Sequence, residues 1–165
     1  MTYSIVYSSR TGNTRMLAEA LREALPREDC IYFGEPDTKA LEAETIYLGF
    51  WTDKGSCDEK MAAFLSGLGG KEIALFGTAG FGKEDAYFEA ILGRVKEHLP
   101  ADCRYLGGFM CPGKMGMGIR RRYEAMLEAN PEDSRAKMLL ENFDAVLDRP
   151  NDQDLEALTN WARSL

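Results

Sequence analysis

Tyr3-Ser4-Ile5-Val6-Tyr7-Ser8-Ser9-Arg10-Thr11-Gly12-Asn13-Thr14 decides the reading of this chain, because a strand hands over to a helix inside it. Tyr3 to Tyr7 reads as a buried β-strand, and Met16, Leu17, Ala20, Leu21 and Leu25 then recur at helical spacing. The turn between them offers hydroxyls at Ser8, Ser9, Thr11 and Thr14, and Gly12 lets the backbone fold tightly. Backbone N–H groups at a helix N-terminus point outward unpaired and carry partial positive charge, so a phosphate is their natural guest. Arg10 is the only charged residue in the turn. A phosphomonoester can therefore be held there by hydroxyls and amides alone.

Strand and helix patterns alternate down the chain. Short apolar runs at residues 30–33, 45–50, 73–77 and 104–110 read as four more strands. Residues 36–43 read as a loop or weak helix, and residues 58–68 and 84–98 as helices, the latter with an apolar stripe from Tyr87, Phe88, Ile91, Leu92 and Val95. The near-continuous apolar character of residues 45–50 fits a parallel strand covered on both faces. Such alternation predicts an α/β fold with a parallel sheet and right-handed crossovers, with the strand order left open. Three further helices are expected at 117–129, 131–147 and 152–165, the last capped by Asn151.

A length of 165 residues suits one domain with a substantial core. No apolar run approaches the roughly 20 residues that a membrane span needs, and a strand begins at once, which leaves no room for a signal peptide. A reduced, cytoplasmic protein is expected, since Cys30, Cys57, Cys103 and Cys111 form no C-x-x-C pair. With a single histidine, His98, a zinc site is poorly supplied, so no metal is expected. The net charge of −7 argues against nucleic acid. Residues 28–60 hold nine Asp or Glu against three Lys, an acidic stretch that suits either solubility or the steering of basic protein partners.

In a doubly wound sheet, ligands bind outside the carboxyl ends of the strands. The loop after the third strand contains Phe50, Trp51, Thr52, Asp53, Lys54 and Gly55. Trp51 lies just past the expected strand end, where a planar indole can stack on a ring. Asp53 and Asp58 are expected to place negative charge near that ring. The loop after the fourth strand runs Thr78-Ala79-Gly80-Phe81-Gly82-Lys83, and its glycines allow close main-chain approach. Phe81 can supply a second wall, with Tyr87 ranked behind it. After the fifth strand come the methionines of residues 110–117 and the run Arg120-Arg121-Arg122, which reads either as a substrate- or partner-facing surface or as a solvated helix start. Neither Cys57 nor Cys111 has a histidine partner, which disfavours thiol catalysis. His98 reads as a helix C-terminal cation.

Residues 8–14 resemble the phosphate-binding loop of the flavodoxins, written T/S-x-T-G-N-T, which holds the FMN 5′-phosphate. No G-x-x-x-x-G-K-S/T and no G-x-G-x-x-G occurs here. The resemblance implies a three-layer, doubly wound, five-stranded parallel sheet of order 2-1-3-4-5 with extra C-terminal helices. It implies a single domain, with residues 1–112 as the FMN-binding core and 113–165 as a C-terminal helical segment. The FMN contacts it implies are Ser8, Ser9, Arg10, Thr11, Gly12, Asn13 and Thr14, then Phe50 through Gly55, then Thr78, Ala79, Gly80, Phe81 and Gly82. In flavodoxins a peptide beside the flavin N5 turns its carbonyl toward the ring; Gly55 and the Lys54 carbonyl are the candidates here.

The implied function is an electron carrier, monomeric or weakly dimeric, that works between an upstream and a downstream reductase. The motifs F-W-T-D-K-G, F-G-T-A-G-F-G and M-C-x-G-K-M resemble an atypical flavodoxin subfamily of gut anaerobes. Some of its members are associated with a bilirubin reductase. Two enzymes on the same fold are the alternatives: an FMN-dependent quinone or NAD(P)H oxidoreductase, and a flavodoxin-type protoporphyrinogen dehydrogenase.

Overall fold

The computed structural model describes residues 1–81 and 84–165. Five parallel strands, β1 (Tyr3–Tyr7), β2 (Cys30–Gly34), β3 (Thr45–Trp51), β4 (Glu72–Ala79) and β5 (Arg104–Pro112), lie in the order β2-β1-β3-β4-β5. Helices α1 (Asn13–Ala24), α2 (Glu59–Leu65) and α3 (Asp85–Lys96) make the crossovers. Short 3-10 turns at Arg27–Asp29 and Thr38–Glu42 flank β2. Helices α4 (Met117–Ala129), α5 (Ser134–Ala145) and α6 (Asp152–Ser164) complete the chain. The order reverses at β1, so the crevice between the loops of β1 and β3 is the expected ligand position.

Both faces of the sheet are covered, and the side-chain alternation of the central strands shows it. In β4, Ile73 and Leu75 join one buried cluster with Met61 and Leu65 of α2 and Ile91 and Val95 of α3. Ala74 and Phe76 face the other way, against a cluster with Leu17 and Leu21 of α1 and Leu158 and Ala162 of α6. Apolar side chains on both faces are what a central parallel strand requires.

The strands run further toward their carboxyl ends than the apolar runs alone suggest. β3 ends at Trp51, β4 at Ala79 and β5 at Pro112. Neighbouring strands extend together, so each keeps a ladder partner: Trp51 pairs with Thr78, and Ala79 with Pro112. Thr52 N–H to the Thr78 carbonyl (3.0 Å) and Gly113 N–H to the Ala79 carbonyl (3.0 Å) carry the pairing past the strand ends. The helices are shorter than their apolar patterns because caps fix their starts. Asp58 accepts from Met61 N–H, so α2 starts at Glu59, and Asp133 accepts from Ala136 N–H, so α5 starts at Ser134.

Two reciprocal pairs lock β3 to β4 just below the carboxyl edge. Gly49 lies opposite Phe76, and Phe50 opposite Gly77. A Cβ on Gly49 would stand 2.4 Å from the Phe76 ring, and one on Gly77 2.4 Å from the Phe50 ring. Each phenyl ring occupies the space that its partner's missing side chain leaves. The glycines are required by this packing and not by backbone conformation.

Candidate functional site

The N-terminus of α1 is open. Gly12 adopts φ +91° there, a left-handed conformation that glycine enters freely, and a Cβ on it would meet nothing within 4 Å. The first turn carries no acidic residue and no side-chain cap from Gly12. Ser9 Oγ accepts from Gly12 N–H (3.2 Å) and Arg15 N–H (3.3 Å). Among the described residues, the backbone N–H groups of Asn13 and Thr14 meet no acceptor. Unpaired amides at a helix N-terminus suit an anion.

The four hydroxyls of the turn divide into two sets. Ser8 is buried, gives its N–H to the Gly49 carbonyl (3.0 Å) and donates its hydroxyl to Asp58. Thr14 is buried and donates to the Phe50 carbonyl (3.1 Å), with Thr78 Oγ1 3.2 Å away. Both hydroxyls bond inward, tying the turn to β3, β4 and the loop after β3. Ser9 and Thr11 remain on the open side. Asn13 Nδ2 donates to the Lys114 carbonyl (2.7 Å), while its buried Oδ1 has no partner among the described residues.

The loop after β3 is built around Asp58. Its Oδ1 caps α2 at Met61 N–H (2.8 Å), and its Oδ2 accepts from Ser8 Oγ and from the Trp51 indole N–H (3.0 Å). Asp58 itself does not line the cleft; three donors hold its carboxylate, one of them the Trp51 indole N–H. Arg10 places its guanidinium 5.4 Å from the Trp51 ring centroid. Asp53 and Ser56 exchange both backbone hydrogen bonds (2.7 and 3.0 Å) around Lys54 and Gly55. Lys54 has φ +50° and Gly55 φ +82°, and positive φ at both central residues marks a type I′ turn. Arg94 Nη1 of α3 holds the Gly55 carbonyl at 3.2 Å.

Across the cleft, a Cβ on Gly80 would stand 2.4 Å from Met115, so this glycine lets the loops after β4 and β5 pack closely. Phe81 is 41% exposed and meets Tyr87 edge-on at 6.1 Å. Gly82 lies outside the described residues. The α4–α5 pair of the C-terminal segment sits at this same edge. Asn142 of α5 donates to the Gly80 carbonyl (2.8 Å), and Arg120 bridges the pair through Asp144 while lying 5.3 Å from the Phe143 ring.

These loops enclose a cleft of about 690 Å³. From the first loop Arg10, Thr11 and Asn13 line it; from the second, Trp51, Thr52, Asp53, Lys54 and Gly55; from the third, Thr78, Ala79, Gly80 and Phe81. Ser8, Thr14 and Phe50 are buried beneath these lining groups, and Ser9 and Gly12 lie at the open turn without lining the cleft. Phe50 is 1% exposed, its ring beneath Gly77, so only its carbonyl reaches the site, through Thr14. Lys114, Met115, Ile119 and Arg122 of the segment after β5 also line the cleft, beyond the FMN contacts that the resemblance implies, and so does Tyr87. The methionine- and glycine-rich composition of the β5 loop was the available signal. An apolar groove lined by Phe81, Tyr87 and Met138 adjoins the cleft.

FMN fits this site on three observations. The open amides at the α1 N-terminus suit a phosphate. The buried, unpartnered Asn13 Oδ1 is an acceptor that a ribityl hydroxyl can satisfy. Trp51 and Phe81 offer aromatic surface to a planar ring. Thiol chemistry is not supported: burial pushes the Cys57 and Cys111 thiols up, away from the reactive thiolate. Among the described residues no cluster of three metal-ligating side chains occurs, and no helix is long and apolar enough to cross a membrane.

Comparison with known proteins agrees with this geometry. Residues 4–163 match the family model described as a flavodoxin domain. The flavodoxin-like domain-containing protein BilS of Clostridium symbiosum is 44% identical over a 178-residue alignment that covers 98% of this chain and 94% of that protein. The protein of the same description from Clostridioides difficile is 30% identical, with coverage of 98% and 94%. Among solved structures, a short-chain flavodoxin associated with a PDU bacterial microcompartment superposes with a TM-score of 0.60 at 17% identity, covering 100% of this chain and 96% of that one. A flavodoxin of Streptococcus pneumonia TIGR4 gives 0.58 at 17% identity, with coverage of 99% and 96%.

Proposed function

This chain belongs to the flavodoxin-domain family, and from that premise we propose that it is a cytoplasmic electron carrier that takes electrons from an upstream reductase and delivers them to a downstream one. FMN is its cofactor and supplies the one- and two-electron chemistry when bound. The observation that carries the reading is the convergence of three loops, after β1, β3 and β4, on one cleft at the carboxyl edge. The α1 amides and Thr11 hold the phosphate. Asn13 takes a ribityl hydroxyl, Trp51 and Phe81 flank the ring, and the backbone of residues 78–81 borders its edge. Ser8, Thr14 and Asp58 hold these elements in place from behind. The downstream partner in this reading is a bilirubin reductase, as the resemblance of the motifs F-W-T-D-K-G, F-G-T-A-G-F-G and M-C-x-G-K-M implies.

The adjoining groove favours a second reading, an FMN-dependent quinone or NAD(P)H oxidoreductase, because its apolar lining suits another planar substrate. Stepwise anaerobic reduction of the FMN-loaded protein separates the two. A carrier is expected to show two resolved one-electron steps and negligible direct oxidation of NADH. A single two-electron step with rapid turnover by NADH or a quinone would select the enzyme, and failure to bind FMN would overturn both.

A further inference from the structure

We propose that the mouth of the cleft docks an acidic face of a protein partner, an inference that rests on the electron-carrier reading. The chain carries a net charge of −7, and its acidic stretch at 28–60 suggests a surface for basic partners. The mouth itself has the opposite sign. Arg10, Lys54, Lys114 and Arg122 line it against one carboxylate, Asp53. All four cations are exposed, and among the described residues none of their side chains has a hydrogen bond or ion pair. With Arg10 and the α1 amides set against the phosphate, Lys54, Lys114 and Arg122 remain around the opening against Asp53 and the single negative charge of a reduced ring, a balance that stays positive.

Their distribution points to a surface and not to a small anion. Lys54 lies in the turn after β3, Lys114 in the loop after β5, and Arg122 on α4, so they ring the opening from separate elements. The carboxylates Glu84 and Glu141 line the adjoining groove instead. Exposed charges so arranged act mainly by steering encounter, raising association rates in a salt-dependent way. A face on which the protein as a whole is negative but the site is positive selects partners whose own redox site is ringed by acid.

The test reads the sign of the salt dependence, which is independent of driving force. The reduced, FMN-loaded protein is mixed with ferricyanide, a cationic cobalt(III) complex, acidic rubredoxin and basic cytochrome c. Each reaction moves one electron from the protein to the acceptor's metal(III), giving metal(II). Between about 10 mM and about 500 mM salt, the rates with ferricyanide and rubredoxin are expected to fall about tenfold, while those with the cationic acceptors stay flat or rise. The Lys114→Glu/Arg122→Glu double variant is expected to abolish or invert that pattern.

Zinc-substituted rubredoxin, which is redox-inactive, is titrated in parallel into the protein without FMN. Binding that weakens with salt and is lost in the double variant is expected. This arm still reports docking if the protein binds no FMN, so failure of the carrier reading and failure of the docking face are separable. Rates with cytochrome c that fall with salt would overturn the proposal. So would a salt effect confined to ferricyanide, with none for either form of rubredoxin, because it would reduce the mouth to a small-anion site.

Discussion

Trp51 donates its indole N–H to the same Asp58 oxygen that accepts the Ser8 hydroxyl, so one carboxylate joins the ring wall to the phosphate turn. Its second oxygen caps α2. Asp58→Ala is expected to lose about 2–3 kcal/mol of stability, from the cap and two charge-assisted bonds. FMN affinity is expected to fall about tenfold as Trp51 loses its anchor, equivalent to about 1.4 kcal/mol. Urea unfolding and flavin-fluorescence titration check the two effects. Affinity unchanged in a folded variant would remove Asp58 from any part in the site.

The Gly49–Phe76 and Phe50–Gly77 pairs make a second expectation. Gly77→Ala puts a methyl 2.4 Å from the Phe50 ring, deep in a packed sheet. A destabilisation of about 1–3 kcal/mol is expected, as for other overpacked cores. Gly49→Ala is expected to behave alike, since it meets Phe76 at the same distance. By contrast, alanine at Gly93 meets nothing within 4 Å, and in mid-helix it is expected to stabilise α3 by about 0.5–1 kcal/mol. Denaturant midpoints of the three variants check the ordering.

The turn at Lys54–Gly55 restricts the peptide that was the candidate for carbonyl reorientation. Turning over the 54–55 peptide takes a type I′ turn to type II′, which demands glycine at the first central position. Lys54 occupies it, and Arg94 already holds the Gly55 carbonyl. Lys54→Gly is expected to change stability by no more than about 0.5 kcal/mol, because relief of a left-handed lysine offsets the freer unfolded chain. It is expected to widen the separation between the two one-electron midpoint potentials. Potentiometric titration reads the change.

Stability is expected to fall on the alkaline side. Burial and the neighbouring Asp154 carboxylate push the Cys111 thiol up, with Arg149 partly opposing. Burial, with the Cys30 thiol beside it, raises the Tyr3 phenol to about 12, and burial raises Tyr47 and Tyr105. Each raised value favours the neutral form in the folded state. The contribution is complete below the unfolded values, about 8.5 for thiols and about 10 for phenols, and is lost as pH rises above them. Urea midpoints are expected to hold steady from about pH 7 to about pH 8 and to decline beyond about pH 9, with a shallower onset in Cys111→Ala.

The legibility of this molecule in its sequence differs between fold and site. Apolar runs such as Thr45 to Phe50 and the helical spacing of Leu17 and Leu21 are local, so five strands and their helices could be read directly, while the strand order came only with the resemblance carried by residues 8–14. Strand ends could not, because Trp51, Thr78 and Pro112 are strand residues only by virtue of their ladder partners. The same limit governs the site. That hydroxyls gather between Ser8 and Thr14 is visible in sequence; that Ser8 and Thr14 bond inward to Asp58 and Phe50 depends on partners dozens of residues away. Arg122 and Lys114 reach the cleft because Asn142 and Asn13 fix the positions of α5 and the β5 loop, contacts with no local signature.

Helix α6 supports the cleft from behind, through its packing on α1. Leu158 and Ala162 of α6 pack in one cluster with Leu17 and Leu21 of α1, and Trp161 lies 5.8 Å from Phe109 of β5. Its start is fixed by the Asn151–Asp154 capping box and the Arg149 fork on Asp154. The inner face of the helix that presents the phosphate amides is therefore sealed by a segment far along the chain, so a change that loosens α6 is felt at the opposite wall of the cofactor cleft.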